Sequence, residues 1–159
     1  MFSVDNLTKS YGGQTLFDGV SFKINSRERV GLVGRNGHGK TTLFRMLIGE
    51  SDYDAGSVTA PKNYRIGHVA QHLDFQADTI LDEGIRGLPP ADQHQHWKVE
   101  KVLFGLGFSQ VDLYRSPQEF SGGYQVRLNL AKVLVSEPDL LLLDEPAAGL
   151  DPRARVDFR

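Results

Sequence analysis

The sequence predicts an α/β fold, on three observations. A strand-like run, Arg29-Val-Gly-Leu-Val33, leads through a glycine-rich stretch into an apolar-patterned segment from Lys40 to Ile48, giving strand, loop and helix in succession. A second run, Leu140-Leu-Leu-Leu143, is apolar at every position and ends at two carboxylates, which reads as a parallel strand buried on both faces. Between these, residues from about Thr79 to Val135 carry helical rather than strand periodicity.

Taken in order, the elements begin with an antiparallel β portion. Strands are predicted near Phe2 to Leu7 and Val20 to Ile24, the second because Val20, Phe22 and Ile24 alternate with Ser21 and Lys23. The helix from Lys40 is ended by Gly49. Strands near Ser57 to Thr59 and Tyr64 to Ala70 return to the sheet. A helical insertion over 79–135 follows, broken at Pro89-Pro90, with Trp97, Val102, Leu103, Phe104 and Leu106 as its own core. A last helix at its end places Val126, Leu130, Val133 and Leu134 on one face. Arg153 and Arg155 are placed at the start of an exposed helix. No internal repeat or low-complexity tract appears.

The stretch Gly34-Arg35-Asn36-Gly37-His38-Gly39-Lys40-Thr41-Thr42 matches the phosphate-binding pattern G-x-x-x-x-G-K-[ST] and sits between a strand and a helix, where such a loop must sit. Glycines let the backbone curl so that successive N–H groups point inward at phosphate oxygens, and the helix start adds its positive dipole end. Lys40 then reaches the β and γ phosphates of a nucleotide, and the Thr41 hydroxyl holds Mg²⁺. The carboxylates of Leu140-Leu-Leu-Leu-Asp-Glu-Pro146 lie at the carboxyl end of a parallel strand, where open α/β sheets bind ligands. Asp144 is the candidate Mg²⁺ carboxylate. Glu145 is the candidate that orients or deprotonates an attacking water.

A third block, Phe120-Ser-Gly-Gly-Tyr-Gln125, precedes the helix bearing Val126 to Leu134. Ser121 is a good N-cap, and Gly122 and Gly123 let a phosphate approach the N–H groups of that helix start. Two anion-binding helix ends over-furnish one nucleotide held by one chain. Facing opposite ways, they let two chains sandwich two nucleotides, each held by one chain's loop and the other's Ser121-Gly122-Gly123. His94-Gln-His96 does not read as a metal pair, because a spacing of two on a helix points the rings apart.

With these blocks in order, the chain resembles the ATP-binding cassette (ABC) family over nearly its whole length. Gly34 to Thr42 is similar to its Walker A loop, Leu140 to Glu145 to its Walker B strand, Ser121-Gly122-Gly123 to its signature motif and Ala148-Gly-Leu-Asp151 to its D-loop. Gln71, ending Ile66-Gly-His-Val-Ala-Gln71, resembles the Q-loop glutamine, which in the family touches Mg²⁺ and the attacking water. Tyr11 matches the aromatic that stacks on adenine; beside Gly12-Gly13 it reads equally as a turn anchor. The resemblance implies a P-loop NTPase cassette with an antiparallel β portion and a helical insertion, using ATP and Mg²⁺ and pairing with a second cassette, in tandem or as a homodimer.

Two branches of the family compete. Ser121-Gly-Gly-Tyr-Gln-Val-Arg-Leu-Asn-Leu-Ala131, Leu7-Thr-Lys-Ser-Tyr-Gly-Gly13 and the loop Gly34-Arg-Asn-Gly-His-Gly-Lys40 resemble the ABC-F branch, soluble tandem-cassette proteins that act on ribosomes. Pro146-Ala-Ala-Gly-Leu-Asp-Pro152 instead resembles a transporter cassette, whose partner is a membrane permease; ABC-F proteins usually carry Pro-Thr-Asn-His-Leu-Asp there. More residues favour ABC-F. The family's switch histidine has no counterpart before Arg159, and its last strands and helices are absent. That implies a cassette truncated before the last strands, an amino-terminal fragment or an abbreviated gene product, binding nucleotide with little turnover.

Composition is compatible with this. The chain has 159 residues, 40% of them hydrophobic, enough for one core. A net charge of −2 advertises neither nucleic acid nor an anionic membrane, so ribosomal contact would need a local patch. The absence of cysteine excludes disulfides and thiolate metal sites and fits a reducing cytoplasm. Met1-Phe-Ser-Val-Asp5 is not a signal peptide and no run spans a membrane, so a cytoplasmic protein is expected, peripheral to the membrane if it serves a permease.

Overall fold

The computed structural model of the chain describes residues 1–33, 39–70, 72–143 and 156–157. In chain order its elements are β1 (Phe2–Tyr11), β2 (Gln14–Ile24), β3 (Leu32–Val33), α1 (Lys40–Leu47), β4 (Ala55–Thr59), β5 (Ile66–Val69), α2 (Ile80–Ile85), α3 (His96–Gly105), α4 (Gly122–Leu134), β6 (Leu140–Leu143) and β7 (Val156–Asp157). The chain forms two compact units, Met1–Tyr64 with Leu150–Arg159, and Arg65–Gly149.

In the first unit β1 is flanked by antiparallel neighbours on both edges, in the order β2-β1-β4. The first two strands run further than the alternation of Val20 to Ile24 indicates. Gly12 and Gly13 both have positive φ, 52° and 82°, which closes a two-residue hairpin whose twist matches the strands, and Tyr11 pairs with Gln14 across it. The buried face of β1 reads Phe2, Val4, Leu7 rather than strict alternation. The extra residue is accommodated at a register shift between Val4 and Leu7, where Asn6 takes φ 52° and its N–H donates to Ser21 Oγ at 2.8 Å. Helix α1 buries Leu43, Met46 and Leu47 and stops before Gly49, whose φ of 83° ends it as expected.

Strand β3 pairs in parallel with β7, Leu32 opposite Val156 and Val33 opposite Asp157. The expected helix beginning at Arg153 and Arg155 falls on residues outside those described. Immediately beyond them the chain is extended, because β3 offers it a ladder of backbone partners and Val156 is β-branched.

In the second unit β5 and β6 form the parallel pair that the apolar run anticipates, with Ile66 opposite Leu140 and Val69 opposite Leu143. Their starts are clamped together: Arg65 N–H donates to Asp139 Oδ2 at 2.8 Å, Asp139 N–H to the Arg65 carbonyl at 2.8 Å, and Arg65 Nη1 to the Ser136 carbonyl at 3.0 Å. The three helices enclose a core of Ile80, Val99, Leu103, Phe108, Leu128 and Ala131 with their neighbours, the larger of these side chains each contributing about 1.5–3 kcal/mol. Thr79 starts α2, its side chain accepting the Asp82 N–H at 3.1 Å, and the chain breaks after Ile85 ahead of Pro89-Pro90.

One expectation about this core is corrected. Trp97 and Phe104 are 60% and 44% exposed, while Val99 and Leu103 are fully buried and Val102 and Leu106 partly so. On α3 the buried stripe is set by the i, i+4 pair Val99 and Leu103; Trp97 and Phe104 are turned away from it. On α4 the buried stripe is Leu128, Ala131 and Val135, with Val126, Leu130, Val133 and Leu134 half-buried. The helix is apolar on two sides because it has two partners: Leu128 and Ala131 face the helices, and a Cβ added at Gly67 of β5 would meet Val133 Cγ1 at 2.5 Å. His94 precedes α3 rather than lying on it, and among the described residues no cluster of histidine and carboxylate side chains could hold a metal.

Candidate functional site

Sequence places four candidate blocks, and the structure describes parts of each. Of the phosphate-binding pattern, Gly39, Lys40, Thr41 and Thr42 are described; Gly34, Arg35, Asn36, Gly37 and His38 lie outside the described residues. Gly39 is the N-cap of α1 at φ 88° and ψ 10°, a left-handed conformation that L side chains rarely adopt. A Cβ there would also approach Phe17 Cζ to 3.1 Å, so both backbone and space demand glycine. Having no side chain, Gly39 leaves the first N–H groups of α1 without a side-chain cap. An uncapped helix start behind a left-handed glycine, followed at once by a lysine, fits a phosphate group. Lys40 is half-buried at the first helical position and makes no ion pair with another described residue.

Tyr11 stands at the last position of β1, 51% exposed, with Lys9 Nζ 4.7 Å from its ring centroid. Its backbone pairs with Gln14 across the Gly12-Gly13 turn.

Gln71, Asp144 and Glu145 lie outside the described residues. The strands that lead to them are described. Because Val69 is opposite Leu143 in a parallel pair, the chain leaves β5 toward Gln71 and β6 toward Asp144 at the same carboxyl edge.

Ser121 is the N-cap of α4 in an extended conformation, and its carbonyl accepts the Gln125 N–H at 3.0 Å. The hydroxyl does not close on the helix, in contrast to the usual serine cap. Ser121, Gly122 and Gly123 are exposed, and a Cβ added at either glycine would meet nothing within 4 Å. The helix start is thus open and uncapped. Tyr124 turns back into an aromatic group with Phe108 and Phe120, ring centroids 5.3 and 5.9 Å away, and Arg127 lies over its ring at 4.7 Å.

One buried charged residue escapes sequence reasoning. Glu83 is fully buried in α2, its Oε1 accepting from Lys132 Nζ at 2.8 Å and Arg86 Nη1 at 2.9 Å, its Oε2 from the N–H groups of Gln76 at 3.0 Å and Ala77 at 2.7 Å. Burial pushes its pKa up, but the Lys132 and backbone hydrogen bonds and the Lys132 charge together outweigh burial and hold it below the ordinary carboxylate value. The available signal was the i, i+3 spacing of Glu83 and Arg86; the distant Lys132 left none.

A left-handed glycine at a helix start in one unit and, in the other, a parallel strand pair followed in the sequence by Asp144 and Glu145 are the features of a P-loop nucleotide-binding cassette. The family model described as ABC transporter matches residues 17–148. The chain belongs to the ABC ATPase family. It is 40% identical over 154 residues to the energy-dependent translational throttle protein EttA of Haemophilus influenzae, covering 95% of this chain and 28% of that protein. It is 36% identical over 174 residues to the Nod factor export ATP-binding protein I of Ralstonia nicotianae, covering 98% of this chain and 52% of that protein. Among solved structures, CbiO1 from Clostridium perfringens, part of the ABC transporter complex CbiONQ, superposes with a TM-score of 0.78 at 28% identity, covering 95% of this chain and 67% of that one. The chain spans about a quarter to a half of the length of these two curated relatives. Among the described residues no helix is long and apolar enough to cross a membrane.

Proposed function

We propose that this chain is the nucleotide-binding cassette of an ABC-F-type ATPase, which binds MgATP, pairs with a second cassette and couples hydrolysis to a conformational change on the ribosome. The observation that carries the reading is the open start of α4. Ser121, Gly122 and Gly123 are exposed, the helix start has no side-chain cap, and among the described residues nothing lies within 4 Å of a Cβ added at either glycine, as at a surface awaiting a partner's phosphate. In this reading the Gly34 to Gly39 backbone and Lys40 hold the phosphates, Thr41 and Asp144 hold Mg²⁺, Gln71 touches Mg²⁺ and the attacking water, and Glu145 orients or deprotonates that water. Tyr11, half exposed, offers adenine a face. The 79–135 segment is the cassette's helical subdomain.

The ABC-F branch is supported by Tyr124 after the signature residues and by the 40% identity to a translational throttle protein. The second reading, the motor subunit of a transporter, is supported by Pro146-Ala-Ala-Gly-Leu-Asp-Pro152 and by the 36% identity to an export ATP-binding protein. Calorimetry with MgATP tests the shared part, and a Glu145→Gln variant is expected to keep binding while losing any turnover. Sedimentation of that variant with ribosomes in MgATP separates the branches. Co-sedimentation supports ABC-F; an ATP-binding variant that stays off ribosomes supports the permease partner.

A further consequence concerns Gly122. Among the described residues an added methyl meets nothing within 4 Å and φ there is not left-handed, so Gly122→Ala is expected to change stability by less than about 0.5 kcal/mol. It nevertheless crowds the approach of a partner's phosphate. ATP-dependent self-association, followed by analytical ultracentrifugation, is expected to be lost in Gly122→Ala with MgATP binding to the monomer unchanged.

A further inference from the structure

The exposed start of α4 is bracketed by two aromatic side chains that close on a third. Phe120 precedes the N-cap Ser121, and Tyr124 is the third residue of the helix, so Ser121, Gly122 and Gly123 are all that stands between the two rings in the chain. The ring centroids of Phe120 and Tyr124 are 5.9 Å apart. Both rings meet Phe108 edge-on, Phe120 at 5.6 Å and 63°, Tyr124 at 5.3 Å and 72°, the arrangement that ring quadrupoles favour. Phe108 is buried in the helical core and gives the pair a fixed seat. Each ring also carries a guanidinium group, Arg115 at 4.6 Å from the Phe120 centroid and Arg127 at 4.7 Å from that of Tyr124. Arg127 is held in turn by the Leu106 carbonyl, which accepts from its Nη1 at 3.2 Å.

Two adjacent glycines need such a bracket. Glycine loses more conformational freedom on ordering than any other residue, and among the described residues nothing packs within 4 Å of where either Cβ would stand. The Ser121 hydroxyl does not cap the helix. The direction in which the chain enters α4 is set by the closed rings, with Gln125 assisting through its Nε2, which donates to the Pro117 carbonyl at 3.1 Å. A hydrophobic staple closes a helix start in the same way, with the residue before the cap packed on one in the first turn.

We propose that Tyr124 is a positioning residue for the Ser121-Gly122-Gly123 face: its ring, seated on Phe108 and Phe120, fixes the angle at which that face meets a second copy of the cassette. This rests on the pairing reading given above. Tyr124 makes no contact with the second copy in this scheme, so its effect passes through the two glycines.

Three variants test it. Tyr124→Ala removes the ring, Tyr124→Leu keeps an apolar side chain without the ring, and Tyr124→Phe keeps the ring without the hydroxyl. Hydrogen–deuterium exchange at the Gln125 amide, which bonds to the Ser121 carbonyl, is expected to be at least about tenfold faster in the alanine and leucine variants, with the amides of residues 128–134 unchanged. MgATP-dependent self-association, followed by analytical ultracentrifugation, is expected to weaken at least about tenfold in those two variants, with MgATP binding by the monomer unchanged. Tyr124→Phe is expected to match the parent in all three measurements. Unchanged exchange at Gln125, or association of parent strength despite faster exchange, would overturn the positioning role. So would faster exchange along the whole helix in both ring-less variants, which marks a loss of fold, or a Tyr124→Phe variant as impaired as Tyr124→Ala. A parent that binds MgATP without self-associating sinks the pairing reading instead, while exchange at Gln125 still judges the bracket.

Discussion

Replacing Lys40 with alanine is expected to weaken MgATP binding by about 30-fold or more while leaving the fold intact. The first half follows from charge. An ammonium group held against phosphate oxygens at a helix start makes charge-assisted hydrogen bonds, and truncating one partner of such a pair costs about 2–5 kcal/mol, of which each 1.4 is tenfold in affinity. The second half follows from placement. Lys40 is the first residue of α1, makes no ion pair with another described residue, and alanine is the best helix former, so the change is expected to move stability by less than about 0.5 kcal/mol. Arginine is not expected to rescue binding, because its wide planar fork does not fit where a compact ammonium sits. Titration calorimetry on Lys40→Ala and Lys40→Arg beside the parent checks all three. Binding by the alanine variant within threefold of the parent would remove Lys40 from the phosphate site.

How much of this was legible in the sequence depends on the range of the interactions involved. The helix start after Gly39 was readable because a φ of 88° and a close aromatic neighbour demand glycine there, and because the helix begins at the very next residue; Gly34 to His38 lie outside the described residues. That Leu140 to Leu143 forms a parallel strand was readable from four consecutive leucines, although Leu141 and Leu143 are only half-buried; that its partner is β5 was not. The length of the hairpin was underestimated because register shifts between Leu7 and Lys9 and between Lys9 and Ser10, with Gly19 at φ 63° in the second strand, break the alternation beyond Leu7, although Gly12-Gly13 was a usable turn signal. On α3 the exposed Trp97 and Phe104 were read as core, and on α4 one of two apolar faces was named, for a different reason. A helix with apolar residues on two sides, such as α4, cannot reveal from periodicity which side meets the helices and which meets β5. The hydrogen bond of Asn129 to the Ala70 carbonyl and the ion cluster at Glu83 join positions tens of residues apart, and one sequence carries no trace of such pairs.

That cluster carries the second large effect. Glu83→Gln is expected to lower stability by about 3 kcal/mol at neutral pH, since it leaves Lys132 and Arg86 facing an uncharged amide in a site closed to water on the Glu83 side. The figure is kept toward the low end of the range for broken buried pairs because the Arg86 side chain is 43% exposed and its share is screened. For a chain of this size the melting temperature is expected to fall by about 6–12 °C. The pH dependence separates charge from packing. The folded-state pKa of Glu83 lies below its reference value of 4.5, so its contribution is complete above that value and is lost as pH falls through the folded pKa. Thermal melts from about pH 7 down to pH 3 should therefore show the difference between parent and Glu83→Gln shrinking on the acid side, because protonation gives the parent the same neutral group that the variant carries at every pH. If the two curves stay parallel to the lowest pH, the carboxylate contributes through shape alone, and the clamp that fastens Gln76 and Ala77 to α4 is not electrostatic.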